Sequence, residues 1–329
     1  MVEAHPTTAT SAVSVARWST APLRLAIALM MGWVIIPSQA EPIKQSAAIS
    51  KAGVGERKIA DARHCSRTIP VYSPQEKKNA IARLADKGII PSNSNLLDAI
   101  KLHDVPDILD LLKAGVDPNM PINSPPVERL FLVPKNSDVD IEIARLLISH
   151  GANINHPSSS ILVNAVYSKK IANVYFLISQ CADVNSNSAR AMPLDLAISL
   201  ESIDMVGLLL KSGADPRRRG KSIYPMCTAA GTGLEYVKLL MEYGATPQDG
   251  ESETTLSRLR EGEVGIAPPL MCALFRKKYD VAAFLIENGA NVNSVSLGPA
   301  WQKYTALSLA REQKATGIVN LLLAKGAKE

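Results

Sequence analysis

The side chains that could do chemistry in this chain are few and poorly spaced for it. Its five histidines are His5, His64, His103, His150 and His156. His64-Cys65 is one adjacent pair with no second ligand pair, which does not make a zinc site. His103 falls in a predicted turn between helices. His150 just precedes a helix-ending glycine, where a cation suits the helix dipole. Gly53-Val54-Gly55 has no strand before it and no helix pattern close behind, so it is not a phosphate loop. Neither Gly-x-Ser-x-Gly nor His-Glu-x-x-His occurs. Acidic residues mostly stand singly on predicted helix surfaces. No catalytic constellation, metal or cofactor is expected from these spacings. Arg217-Arg218-Arg219-Gly220-Lys221 puts four positive charges in five residues. That cluster suits an acidic protein, lipid head groups or a polyanion. Without interleaved aromatic residues for base stacking, nucleic acid is not an expected partner.

The elements that would position such residues are short. The 329 residues are 47% apolar and 20% charged, which is enough apolar material for a core. The formal charge of +5 is small for this length and calls for no polyanionic partner. With 21 prolines and 19 glycines, the chain is cut often. Four cysteines are too few for a disulfide scaffold.

Residues 1–40 read as a signal peptide. An apolar run from Leu23 to Ile36, broken only by Arg24, ends at Pro37-Ser38-Gln39-Ala40, with small residues where signal peptidases cut. Leu25 to Ile36 is shorter than the roughly 20 residues that span a bilayer. The shape is bacterial, which predicts a periplasmic or secreted protein with no membrane insertion once the signal is cleaved. An uncleaved anchor is the alternative, giving a membrane-tethered envelope scaffold. Residues 41–72 lack periodicity and read as a mobile leader. In 73–93, Ser73-Pro74-Gln75-Glu76 starts a helix that Gly88 ends, with Ile81, Leu84 and Ala85 as its apolar stripe. This segment reads as a half-repeat capping the N-terminal end of a stack.

Residues 94–329 repeat one unit seven times. Each unit closes on the same phrase, as in Gly115-Val-Asp-Pro-Asn119, Gly151-Ala-Asn-Ile-Asn155, Cys181-Ala-Asp-Val-Asn185 and Gly213-Ala-Asp-Pro-Arg217. Gly244-Ala-Thr-Pro-Gln248, Gly289-Ala-Asn-Val-Asn293 and a truncated Gly326-Ala327 complete the series. The starts lie 36, 30, 32, 31, 45 and 37 residues apart. An apolar helix end precedes every phrase, and a first short helix lies upstream at nearly constant distance. Glycine supplies the left-handed helix cap, the Asp or Asn two residues later can bond its own backbone, and proline presets φ at a helix start. A single unit cannot bury both faces, so the array depends on its interfaces. Insertions interrupt the pattern at 249–266 and at 294–303, which carries Trp301.

The period and wording resemble ankyrin repeats. That family opens its unit with Thr-Pro-Leu-His-x-Ala, matched by Met192-Pro193-Leu194-Asp195-Leu196-Ala197 and Pro268-Pro269-Leu270-Met271-Cys272-Ala273. Tyr224-Pro225-Met226-Cys227-Thr228-Ala229 and Thr305-Ala306-Leu307-Ser308-Leu309-Ala310 match similarly. No unit keeps the family's histidine. The resemblance implies an all-α solenoid of helix–turn–helix units with projecting finger loops. It also implies a non-enzymatic module that binds another protein through its concave groove and fingers. The two residues after the first helix's Ala-Ala position face the groove in that family. Here they are Lys101-Leu102, Leu132-Val133, Tyr167-Ser168, Ser199-Leu200, Phe275-Arg276 and Glu312-Gln313. Leu102, Leu132, Tyr167, Leu200, Phe275 and Arg276 are therefore expected partner contacts, unless irregular turns tuck them into the core. Arg217, Arg218 and Arg219 on a finger loop and Trp301 on its insertion are the others. Cys227 and Cys272 stand in successive repeats and are expected as buried thiols. Cys181 occupies a glycine position, where it either tolerates strain or meets a partner such as Cys65.

Overall fold

Short apolar runs cut by serine, proline and glycine become fifteen helices among the described residues. The computed structural model describes residues 68–119, 126–131, 138–156, 159–187, 191–219, 224–251, 267–297 and 303–328. The expected signal peptide, leader residues 41–67 and insertion residues 252–266 lie outside these. No helix among the described residues is long and apolar enough to cross a membrane.

Helix α1 (Pro74–Asp86) begins with a capping box. Ser73 Oγ accepts from the Glu76 N–H, and the Glu76 carboxylate accepts from the Ser73 N–H at 2.7 Å. Its buried residues are Ala80 and Leu84, whereas Ile81 is 44% exposed. The expected stripe of Ile81, Leu84 and Ala85 is thus rotated, because the i, i+4 pair Ala80–Leu84 is the one that packs on the first repeat. Arg83 grips Asp110 with two hydrogen bonds of 2.7 and 2.5 Å, and Lys87 reaches Asp107 at 2.6 Å. The Arg83 guanidinium holds the Asp110 carboxyl below its ordinary pKa.

Seven helix pairs make up the rest of the array. They are α2 (Asn93–Leu102) with α3 (Val105–Lys113), α4 (Pro126–Arg129) with α5 (Asp138–Ser149), and α6 (Ile161–Tyr167) with α7 (Ile171–Ser179). Next come α8 (Pro193–Ser199) with α9 (Ile203–Lys211), α10 (Pro225–Thr232) with α11 (Leu234–Glu242), and α12 (Pro269–Phe275) with α13 (Tyr279–Glu287). The last pair is α14 (Ala306–Glu312) with α15 (Thr316–Ala324). First helices pack on first helices, so α8 lies between α6 and α10. One continuous core runs from Leu84 to Leu322. Over 295–305, at and just beyond the 294–303 insertion, the chain forms a feature the sequence suggested only as an insertion. Strands β1 (Val295–Leu297) and β2 (Lys303–Thr305) pair antiparallel, with Ser296 opposite Tyr304.

Both turns of the unit close by the same device. At the closing phrase the glycines have φ from 84° to 96° between Gly115 and Gly326, and Cys181 takes 67°. The next N–H bonds the carbonyl five residues back, as Ala152 does to Leu147 and Ala214 to Leu209. Between the two helices of a unit, His103, Lys169, Glu201, Lys277 and Lys314 are left-handed without being glycine. That conformation costs about 1 kcal/mol for such residues, offset by the same five-back bond, as from Lys278 to Ala273. The fifth unit, one residue short here, passes through Gly233 in extended conformation instead.

One expectation is corrected. Cys227 and Cys272 are not thiols but a disulfide, with Cα atoms 5.5 Å apart. Helix axes stand roughly 8–10 Å apart, but each Cα lies about 2.3 Å off its axis. Two facing Cα atoms therefore come within bridging range. Of the expected leader, residues 68–72 lie along the repeats. Tyr72 stacks on His150 and its hydroxyl meets His150 Nε2 at 2.7 Å, while Lys113 sits over the Tyr72 ring. Ile69 lies against Gly151, whose missing Cβ leaves it room.

Candidate partner-binding surface

The surface begins with the closing phrases, which set the spacing of everything else. The predicted Asx turns are present. Asp117 Oδ1 accepts from the Asn119 N–H at 2.8 Å, and Asn153, Asp183, Asp215 and Asn291 do the same two residues on. The fifth residue of the phrase adds what sequence reasoning missed. Asn119 donates to the Gly151 carbonyl and accepts from the Asn153 N–H, at 2.8 and 2.6 Å. Asn155 treats Cys181 and Asp183 in the same way, and Asn185 treats Gly213 and Asp215. In each of the first three units one asparagine side chain thus bonds the next unit's backbone twice. The recurrence of Asn at this place was the available signal.

On that frame the expected contact residues divide. Leu102, at the end of α2, is 78% exposed, and Tyr167, at the end of α6, is 67% exposed. Leu200 and Phe275 are half-buried and packed against the core. Phe275 meets the Tyr304 ring edge-on at 6.0 Å, so the β1–β2 hairpin accounts for its position. Arg276 lies over the fifth unit. A Cβ on Gly231 would stand 3.2 Å from Arg276 Cγ, and burial lowers the Arg276 pKa. Leu132 and Trp301 lie outside the described residues.

The arginine cluster also divides. Arg217 reaches Asp249 at 3.4 Å, and its backbone is tied to Asp215. Arg218 and Arg219 are exposed. Beside Arg217 is a hollow of about 580 Å³ walled by Tyr224, Asp249 and Glu251 among others. Its carboxylates are already paired. Asp249 accepts from the Thr246 N–H and hydroxyl, and Glu251 accepts from Ser294.

A buried carboxylate, Glu128, and a half-buried one with a buried oxygen, Asp195, were not expected. Glu128 accepts from the Ser160 N–H and the Asn164 amide through Oε1 alone; Oε2 and the neighbouring Arg129 Nε find no partner. Asp195 stands where the ankyrin opening has histidine. Its Oδ1 has no hydrogen-bond partner, and burial pushes its pKa up to about 7. The missing histidine was the signal for this site. No group of three or more His, Cys, Asp or Glu among the described residues could hold a metal.

This geometry agrees with the comparisons. The family profile described as ankyrin repeats (3 copies) matches residues 130–220 and 194–296, together just over half of the chain. The chain belongs to the ankyrin-repeat family. An ankyrin repeat protein of Fowlpox virus (strain NVSL) is 30% identical over 158 residues, which are 46% of this chain and 35% of that protein. One from Rickettsia bellii (strain RML369-C) is 27% identical over 247 residues, 70% of this chain and 63% of its own. The chain thus spans about a third and just under two thirds of these relatives. Ankyrin arrays generally mediate protein–protein interaction and are typically not enzymes. Of the residues expected on the groove, the two exposed apolar ones, Leu102 and Tyr167, lie in the first and third repeats.

Proposed function

We propose that this ankyrin array is an exported bacterial protein without enzymatic activity that binds another protein through its groove and finger loops. The observation that carries the reading is the exposure of Leu102 and Tyr167 at the ends of inner helices. Large apolar side chains held in water on a rigid scaffold favour docking, because little entropy remains to be lost. Arg218 and Arg219 extend the surface along a finger. Export is supported by the signal-like residues 1–40 and by the Cys227–Cys272 bond, which persists in oxidising compartments and is rare in reducing ones. The family and the Rickettsia relative are compatible with this reading.

The test is a crosslinking pull-down from native envelope extract, comparing wild type with a Leu102→Ala/Tyr167→Ala variant. The expected result is one protein captured by wild type and lost with the variant at unchanged helical content. Equal capture by both removes the groove reading. Intact mass of the chain from the same cells checks export: loss of residues 1–40 supports it. Their retention in a membrane fraction replaces it with a tethered scaffold.

A further inference from the structure

We infer that the turns joining the two helices of each unit form a basic docking row, which takes an acidic, aromatic-bearing segment of the partner protein. This rests on the protein-binding function proposed above and adds the chemistry of what binds. At these turns one residue is left-handed without being glycine: His103, Lys169, Glu201, Lys277 and Lys314, with φ between 55° and 57°. Lysine at three of the five places bears a cost of about 1 kcal/mol that glycine would avoid.

The fold makes little use of those lysines. All three are exposed. Lys169 donates to the Leu200 carbonyl at 3.1 Å, whereas Lys277 and Lys314 form no ion pair among the described residues. The position after each turn residue adds Lys170 and Lys278, so five lysines stand against Asp104 and Glu201. The charges within two positions of this row, Lys101 and Arg276 against Asp204, Asp280 and Glu312, nearly cancel and leave it positive. Gln313 fixes the last two turns together, donating to the Leu274 carbonyl at 2.9 Å and accepting from the Tyr279 hydroxyl at 3.2 Å.

Both exposed groove residues border the same row. Leu102 immediately precedes His103, and Tyr167 stands two residues before Lys169. Units follow one another at roughly 10 Å, which puts these two side chains about 20 Å apart. An extended segment rises about 3.3 Å per residue, so its apolar anchors would be about six residues apart, with carboxylates around them. Beyond Tyr167 the row continues to Lys277 and Lys314 in the last two units. Glu201 interrupts it, which disfavours a uniformly anionic lipid surface. A polypeptide can place a neutral or basic residue at that point.

Titration of the full chain against a fluorescent random copolymer of glutamate and tyrosine, read by anisotropy, tests this. The variant is Lys169→Gly/Lys277→Gly/Lys314→Gly, which should fold because glycine suits all three turns. Wild type should bind the copolymer roughly three-fold or more tighter than polyglutamate of the same length. The variant should bind it roughly five-fold or more weaker at unchanged helical content. No binding by wild type, or equal binding by the variant, overturns the inference. So does equal affinity for polyglutamate, which would mark a bare polyanion site, or displacement of the copolymer by phosphatidylglycerol vesicles, which would mark a membrane surface. The envelope pull-down separates this failure from that of the groove. A partner lost with Leu102→Ala/Tyr167→Ala but kept by the lysine variant overturns the acidic segment and leaves the groove standing.

Discussion

Replacing Asp195 by asparagine should stabilise the array at high pH and do almost nothing at low pH. Asp195 is half-buried in the first turn of α8 with its Oδ1 buried and unbonded, and that burial raises its pKa from 3.8 to about 7. A pKa raised on folding means that the folded state holds the proton more tightly than the unfolded one. Asp195 therefore costs nothing extra below its unfolded value. Its penalty grows as pH rises from about 4 and levels off above about 7. At about 1.4 kcal/mol per unit, a rise of roughly three units corresponds to about 4 kcal/mol at pH 8. Asparagine has the same shape and no charge, so the variant should gain about 2–4 kcal/mol there, the lower figure allowing for its own unpaired amide. Urea unfolding followed by circular dichroism at pH 4, 6 and 8 measures this. The quantity to read is variant minus wild type, in which the other titrating groups cancel, including Asp110 with its oppositely shifted pKa. A difference independent of pH from 4 to 8 would refute the reasoning.

Tyr167→Ala should change unfolding free energy by less than about 0.5 kcal/mol, whereas Phe275→Ala should cost about 2–3 kcal/mol because it empties a site packed against Tyr304. Thermal or urea melts separate the two, and equal effects would contradict the division of the groove. Asn185→Ala removes two hydrogen bonds to the fourth repeat and should cost about 1–2 kcal/mol, read in the same melts. Cys272→Ser opens a loop with a sequence separation of 45 residues and should destabilise by roughly 2–4 kcal/mol under non-reducing conditions. Adding reductant to wild type should remove at least that difference.

The array was legible because its sequence repeats the reasons for its structure. Seven closing phrases carried the cap and the spacing, five of them the Asx turn as well, and the helices fell where those phrases put them. The Asn ladder was hidden only by habit: Asn119, Asn155 and Asn185 look like turn residues until their second function, across the interface, is seen. Burial at the groove was less legible. Leu102 and Leu200 occupy the same place in their units, yet one is exposed and the other half-buried, because neighbouring units decide it. Phe275 needed the β1–β2 hairpin, whose pairing no periodicity announced. Cys227 and Cys272 bridge because facing Cα atoms, 5.5 Å apart here, stand closer than the helix axes that carry them. Asp195 was visible as a departure from the opening motif, but its missing partner is a property of packing.

A linear stack yields first at its weakest interface, and the described residues point to one. The first three junctions each have a full asparagine rung. Between the fifth and sixth repeats Gln248 reaches the Gly289 carbonyl and the Cys227–Cys272 bond adds a covalent link. At the last, the Asn293 side chain accepts from the Lys328 N–H at 2.8 Å. Between the fourth and fifth, Arg217 stands where asparagine would be. Its guanidinium reaches Asp249 at 3.4 Å with 64% of its side chain exposed, and such a pair contributes little. Asp195, ionising as pH passes about 7, lies in α8, the helix that faces the fifth repeat across this junction. Partial unfolding at pH 8 should therefore separate residues 73–219 from 224–328. Hydrogen exchange should show α8 and α9 opening before α6 and α7, and the order should be lost in Asp195→Asn. Uniform opening along the array at pH 8 would mean that the rung and the carboxylate do not set where it breaks.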